Sequence, residues 1–124
     1  MRTEKVTYFT EKEEEFTNLL VEIGTNKNVA KVLVFLASIP EATSKGVERG
    51  TDLRQPEVSI AMKYLVEQSW ITSRVIRTEN KGRPALIYSL SRPFYEIMDI
   101  IETEKKKEAT NQIALVQKLQ YHLR

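Results

Sequence analysis

The chain has 124 residues, no cysteine, a single histidine and a net charge of +2; that length gives one domain with an appended helix or two and excludes a nucleotide enzyme with a separate substrate domain. The lack of cysteine removes disulfide scaffolds, thiolate nucleophiles and Cys-ligated zinc, and fits a reducing, cytoplasmic setting. The charge is unevenly placed, at −3 over residues 1–24, +1 over 25–53, +4 over 54–92 and zero over 93–124, so the middle of the chain carries a basic surface suited to an anion.

Tyr8, Phe9, Phe16, Leu19, Leu20 and Ile23 recur at helical spacing, with Glu11, Glu13, Glu14 and Glu15 on the other side. Thr10 followed by Glu13 has the form of a capping box, which predicts a helix over 10–23, stopped by Gly24. Asn26 or Asn28 caps a second helix, whose Val29, Val32, Leu33, Leu36 and Ala37 mark it as buried before Ile39-Pro40 ends it. Thr43 or Ser44 begins a short helix through Val47 to about Gly50, and Thr51-Asp52-Leu53 follows as a tight turn. Gln55-Pro56-Glu57 opens the next helix, with proline in the first turn where its missing donor costs nothing. Val58, Ala61, Met62 and Leu65 form its inward face, and the helix runs to about Gln68.

From Trp70 the pattern changes. Ile71, Thr72, Val75, Ile76 and Thr78 are β-branched and partly alternating, which predicts a strand; a polar turn over 79–84 and a second strand over 85–90 complete a hairpin with a basic tip. Ser91 is placed to cap the final helical stretch, with Pro93 in its first turn. Phe94, Ile97, Met98 and Ile101 give that stretch one apolar stripe, and Ile113, Val116, Leu119 and Leu123 give it another. The intervening residues 102–108 are polar, which leaves open one long helix or two with a solvated joint.

These elements set the fold class as mostly α with a small β-hairpin (α+β), in the order of a winged helix-turn-helix domain with flanking helices at both ends. Arg54-Gln55-Pro56-Glu57-Val58-Ser59, leading into Met62-Lys63-Tyr64-Leu65 and closing with Ser69-Trp70-Ile71, resembles the recognition-helix region of winged-helix transcription regulators of the MarR, ArsR and TrmB type. Lys81-Gly82-Arg83-Pro84 followed by Ile87-Tyr88-Ser89-Leu90 resembles their wing and its return strand, above all in small archaeal members. The resemblance covers residues 28–90, about half of the chain. It implies a DNA-binding domain over 25–92, with 1–24 and 93–124 as dimerising segments.

In that architecture the second helix of the pair presents its first turns to the major groove. The outward residues Gln55, Glu57, Ser59 and Ile60 are the candidates for base edges: Gln suits adenine, Glu accepts from cytosine, Ser is versatile and Ile meets a thymine methyl. Lys45, Arg54 and Lys63 are placed for phosphates, as are Arg74 and Arg77 at the base of the wing and Lys81 and Arg83 at its tip. Each has a plainer reading. Surface helices ordinarily carry Lys, Glu and Gln, charges on hairpins protect sheet edges, and Glu57 in a first turn complements the helix dipole. Phe16, Leu19 and Leu20 at one end, with Ile113, Val116, Leu119 and Leu123 at the other, exceed what a winged helix of this size buries, which points to a homodimer.

Other classes fit less well. His122 near the end has no second imidazole with which to build a metal site or catalytic dyad, and no phosphate-cradling Gly-rich loop or nucleophile-base pair occurs, so neither enzyme nor metal nor cofactor is expected. The longest apolar run, residues 32–37, is too short to span a membrane, and the charged first 15 residues are unlike a secretion signal. A winged helix serving as a protein-interaction module of the transcription machinery is the rival reading, and an RNA-binding winged helix shares the charge pattern. No residue set identifies a small-molecule effector.

Overall fold

The computed structural model describes residues 10–77 and 84–124. Thr10 opens helix α1 (Glu11–Glu22) with a complete capping box: Glu13 N donates to Thr10 Oγ1 at 3.1 Å, and Thr10 N donates to Glu13 Oε1 at 2.9 Å. Gly24, at φ 106°, turns the chain out of that helix in a conformation that glycine alone adopts freely. Asn26 then caps α2 (Lys27–Ser38) by accepting from the amides of Asn28 and Val29. Seven residues of α2, Val29, Ala30, Val32, Leu33, Val34, Phe35 and Leu36, are buried, which makes it the central helix of the core.

A two-residue strand, β1 (Ala42–Thr43), leads into α3 (Ser44–Thr51), whose N-cap Thr43 accepts from Gly46 N. Helix α4 (Gln55–Glu67) follows, with Val58, Ala61, Met62 and Leu65 buried as the spacing predicts. Helices α2, α3 and α4 pack on one another, and α1 packs on α2. One contact fixes the angle of α3: a Cβ placed on Gly50 would lie 2.1 Å from the Phe35 ring of α2, so the two helices approach only because that side chain is a hydrogen.

Strands β2 (Ile71–Ile76) and β3 (Ala85–Leu90) pair antiparallel, from Ile71 opposite Leu90 to Ile76 opposite Ala85. The sheet has three strands rather than the expected two, in the order β1-β3-β2, because Ala42 and Thr43 pair with Tyr88 and Ile87. Trp70 and Ile71 anchor its base in the core. Ser91 does not cap the last helix. Its hydroxyl donates to Ser69 O and its amide to Trp70 O, closing the base of the hairpin, and Pro93 occupies the N-cap instead.

The chain divides into two compact units, Met1–Arg92 and Pro93–Arg124. The second is one continuous helix, α5 (Phe94–His122), so the polar segment 102–108 does not break it. Glu and Lys are good helix formers, and the pairs Glu102–Lys106 and Lys105–Glu108 span successive turns. Together these elements are a winged helix-turn-helix with flanking helices. Among the described residues, no helix is long and apolar enough to cross a membrane.

Candidate nucleic-acid interface

With Val58, Ala61, Met62 and Leu65 turned inward, α4 leaves Gln55, Glu57, Ser59, Ile60 and Lys63 exposed. Gln55, Ser59 and Lys63 follow at intervals of four and line one edge of the helix. Ile60 stands beside them at 72% exposure, which no packing within the chain explains. Glu57 is exposed too, but it is occupied: its Oε1 accepts from Arg54 N at 2.9 Å and satisfies a donor that the helix end leaves open. That geometry supports its plainer role as a cap.

Arg54 immediately precedes α4, Lys45 is the second residue of α3, and both are exposed. Neither they nor Lys63 and Arg77 have an ion-pair partner among the described residues. Arg74 differs. Its Nη2 donates to both oxygens of Glu41, at 2.9 and 3.1 Å, so the chain already supplies an anion there. Lys81 and Arg83, expected at the wing tip, lie outside the described residues, as do Tyr8 and Phe9.

One set of neighbours escapes a reading of the sequence. A surface depression of about 430 Å³ brings Ser59 and Lys63 of α4 together with Ser44 in the first turn of α3 and Tyr88 on β3. Three hydroxyls and an ammonium share this concavity with the carboxylate of Glu67, so it offers hydrogen-bonding groups of both kinds. The link is β1: pairing Ala42 with Tyr88 carries the start of α3 to the face of the sheet. Ser44 offers no signal of its own beyond its suitability as a helix cap.

The apolar residues expected at a dimer surface divide. Leu20 is only 3% exposed, because the stripe of α1 that carries it faces α2, and it belongs to the core of its own chain. Phe16 and Leu19 remain partly open, with Val21 and Ile23 beside them. On α5, Ile113, Val116 and Leu119 are all more than half exposed, as are Leu115 and, just past the helix end, Leu123.

No family model and no curated protein matches the chain. Solved structures do. A possible transcriptional regulator from Methanosarcina mazei Go1 superposes with a TM-score of 0.64 at 15% identity, over 81% of this chain and 82% of that one. A MarR family regulator from Neisseria meningitidis gives a TM-score of 0.50 at 24% identity, covering 81% of this chain and 68% of its own. A further MarR family transcription regulator gives 0.51 at 16% identity, over 92% and 77%. What is shared at these identities is the fold, and the fold of this chain is the winged helix of MarR-like regulators.

Proposed function

We propose that the protein is a sequence-specific double-stranded DNA-binding transcription regulator that acts as a homodimer. The observation that carries this reading is the outer face of α4, where Gln55, Ser59 and the highly exposed Ile60 stand free at the start of a helix whose inner face is fully packed. Lys63, Arg54 and Lys45 around that face supply cations without ion-pair partners among the described residues, and phosphate contacts of this kind set register and salt dependence. Gln55, Ser59 and Ile60 read bases; Glu57 holds the helix start. Regulators of transcription share this fold.

The dimer is supported by apolar surface on α1 and α5 that the chain leaves open. Two copies related by a two-fold axis would set two α4 helices on successive major-groove faces, about 34 Å apart. Selection of bound sequences from a random duplex library, followed by a gel-shift salt series, tests the reading. Arg54→Ala with Lys63→Ala should weaken binding to all sequences and flatten the salt dependence, and Gln55→Ala should change base preference. Failure of the wild-type protein to bind any duplex at low salt would hand the exposed Ile60, Tyr64 and Val66 of α4 to a protein partner.

A further inference from the structure

A second depression, of about 670 Å³, opens where α1, the start of α2 and the end of α3 meet. We propose that it binds a small phosphorylated, hydroxyl-bearing metabolite. Lys27 and Lys31, one turn apart on α2, and Arg49 on α3 line it, and none of the three has an ion-pair partner among the described residues. Like charges at a spacing of four disfavour a helix, and two carboxylates, Glu14 and Asp52, line the same depression without forming an ion pair with the three cations, which leaves the lining at a net charge of +1. A phosphate group pairs directly with the three cations: the guanidinium offers a two-pronged donor, and the ammonium groups offer point charges.

The remaining lining defines the rest of the ligand. The carboxylates of Glu14 and Asp52 and the side-chain carbonyl oxygen of Asn18 accept hydrogen bonds from hydroxyl groups, and the two carboxylates repel a second strongly anionic centre. The volume suits a small organic molecule and exceeds what inorganic phosphate fills. The far wall is the end of α3, and there the backbone has little latitude. Gly50 abuts the Phe35 ring, Thr51 Oγ1 donates to Val47 O, and Asp52 sits at φ 60°, two residues before the N-cap of α4. A ligand held by Arg49 and Asp52 therefore bears on the turn that aims α4, and its binding is linked reciprocally to DNA affinity. That linkage rests on the DNA-binding reading; the site itself does not.

Calorimetric titration of the full chain with glucose 6-phosphate, ribose 5-phosphate and AMP tests the site, with glucose and inorganic phosphate as the component controls. At least one phosphorylated probe should saturate and bind about tenfold more tightly than either component, a difference of about 1.4 kcal/mol. Lys31→Ala with Arg49→Ala should remove that gain, Lys118→Ala should not, and circular dichroism melts establish that both variants fold. No saturation by any of the three probes, affinity no better than that of inorganic phosphate, or undiminished binding by the double variant overturns the proposal. Fluorescence anisotropy of a bound duplex supplies the second readout. A double variant that loses DNA affinity in a protein that binds none of the probes would assign the cluster to the DNA backbone and overturn the metabolite site. Probe binding without a change in DNA affinity overturns the linkage, and probe binding by a protein that binds no DNA supports the site while sinking the regulator reading.

Discussion

Helix α2 and the second half of α5 are both rich in large aliphatic residues, and the chain treats them in opposite ways. In α2, Val32, Leu33 and Leu36 are at most 1% exposed, enclosed by the neighbouring helices. In α5, Ile113, Leu115, Val116 and Leu119 are all more than half exposed, as is Leu123 just beyond its end. Apolar area left in water forgoes about 25 cal/mol per Å², and the proposed dimer is the reading in which that area is recovered. The contrast separates apolar residues that this chain encloses by itself from those it leaves exposed.

The interior side of the contrast is the one to break first. Leu33→Ala removes a fully buried side chain at the centre of α2, and chemical denaturation should show a loss of about 3 kcal/mol. Gly50→Ala attacks the same helix from outside by driving a methyl group into the Phe35 ring. The expected cost is about 2 kcal/mol, the range of an overpacked core, with Gly46→Ala as the tolerated control because its nearest neighbour would be 3.4 Å away. Equal effects at the two glycines would mean that the approach of α3 to α2 is not what fixes their angle.

The exterior side is tested by charge. Val116→Lys with Leu119→Lys changes residues that are 52% and 66% exposed, so melts at low protein concentration should move by less than about 0.5 kcal/mol. Light scattering should report a dimer for the unaltered chain and a monomer for the double variant, and DNA affinity should fall with it because half-sites are no longer held together. A double variant that unfolds instead would place these residues in the chain's own core. Changing Leu20 to Lys, by contrast, should unfold the protein, because that residue is enclosed within the first unit.

Much of this division was legible in the sequence wherever the signal is local. Thr10, Asn26 and Thr43 cap the helices they precede, and the intervals of three and one among Val58, Ala61, Met62 and Leu65 are those of the buried face. What stayed hidden depends on partners distant in sequence. Two residues are too few to show a strand period, so β1 becomes visible only through its pairing with β3, and with it the meeting of Ser44 and Tyr88 around Lys63. Leu20 and Leu19 belong to one apolar stripe in the sequence; only the packing of α1 on α2 assigns the first to the interior and the second to the surface. Ser91 has the chemistry of a cap and is spent on the hairpin base, a choice made by the nearness of Ser69.

The same distinction between satisfied and unsatisfied groups holds for charge, and there it predicts a smaller effect. Lys45, Arg54, Lys63 and Arg77 stand without ion-pair partners among the described residues, whereas Arg74 is clasped by both oxygens of Glu41. The Arg74 and Glu41 side chains are 60% and 43% exposed, so the pair contributes at most about 1 kcal/mol and is readily exchanged for another anion. Glu41→Gln keeps the shape and frees the guanidinium. Duplex affinity at low salt should then rise by about two- to fivefold, with the slope of log affinity against log salt steepening by up to about 0.9, the increment for one added phosphate contact. Arg74→Ala in the unaltered background should change affinity far less than Arg54→Ala, since its cation is already neutralised. Should Glu41→Gln leave both affinity and slope untouched, Arg74 belongs with Leu33 among the groups this chain satisfies for itself, and the DNA-facing surface ends at α4 and Arg77.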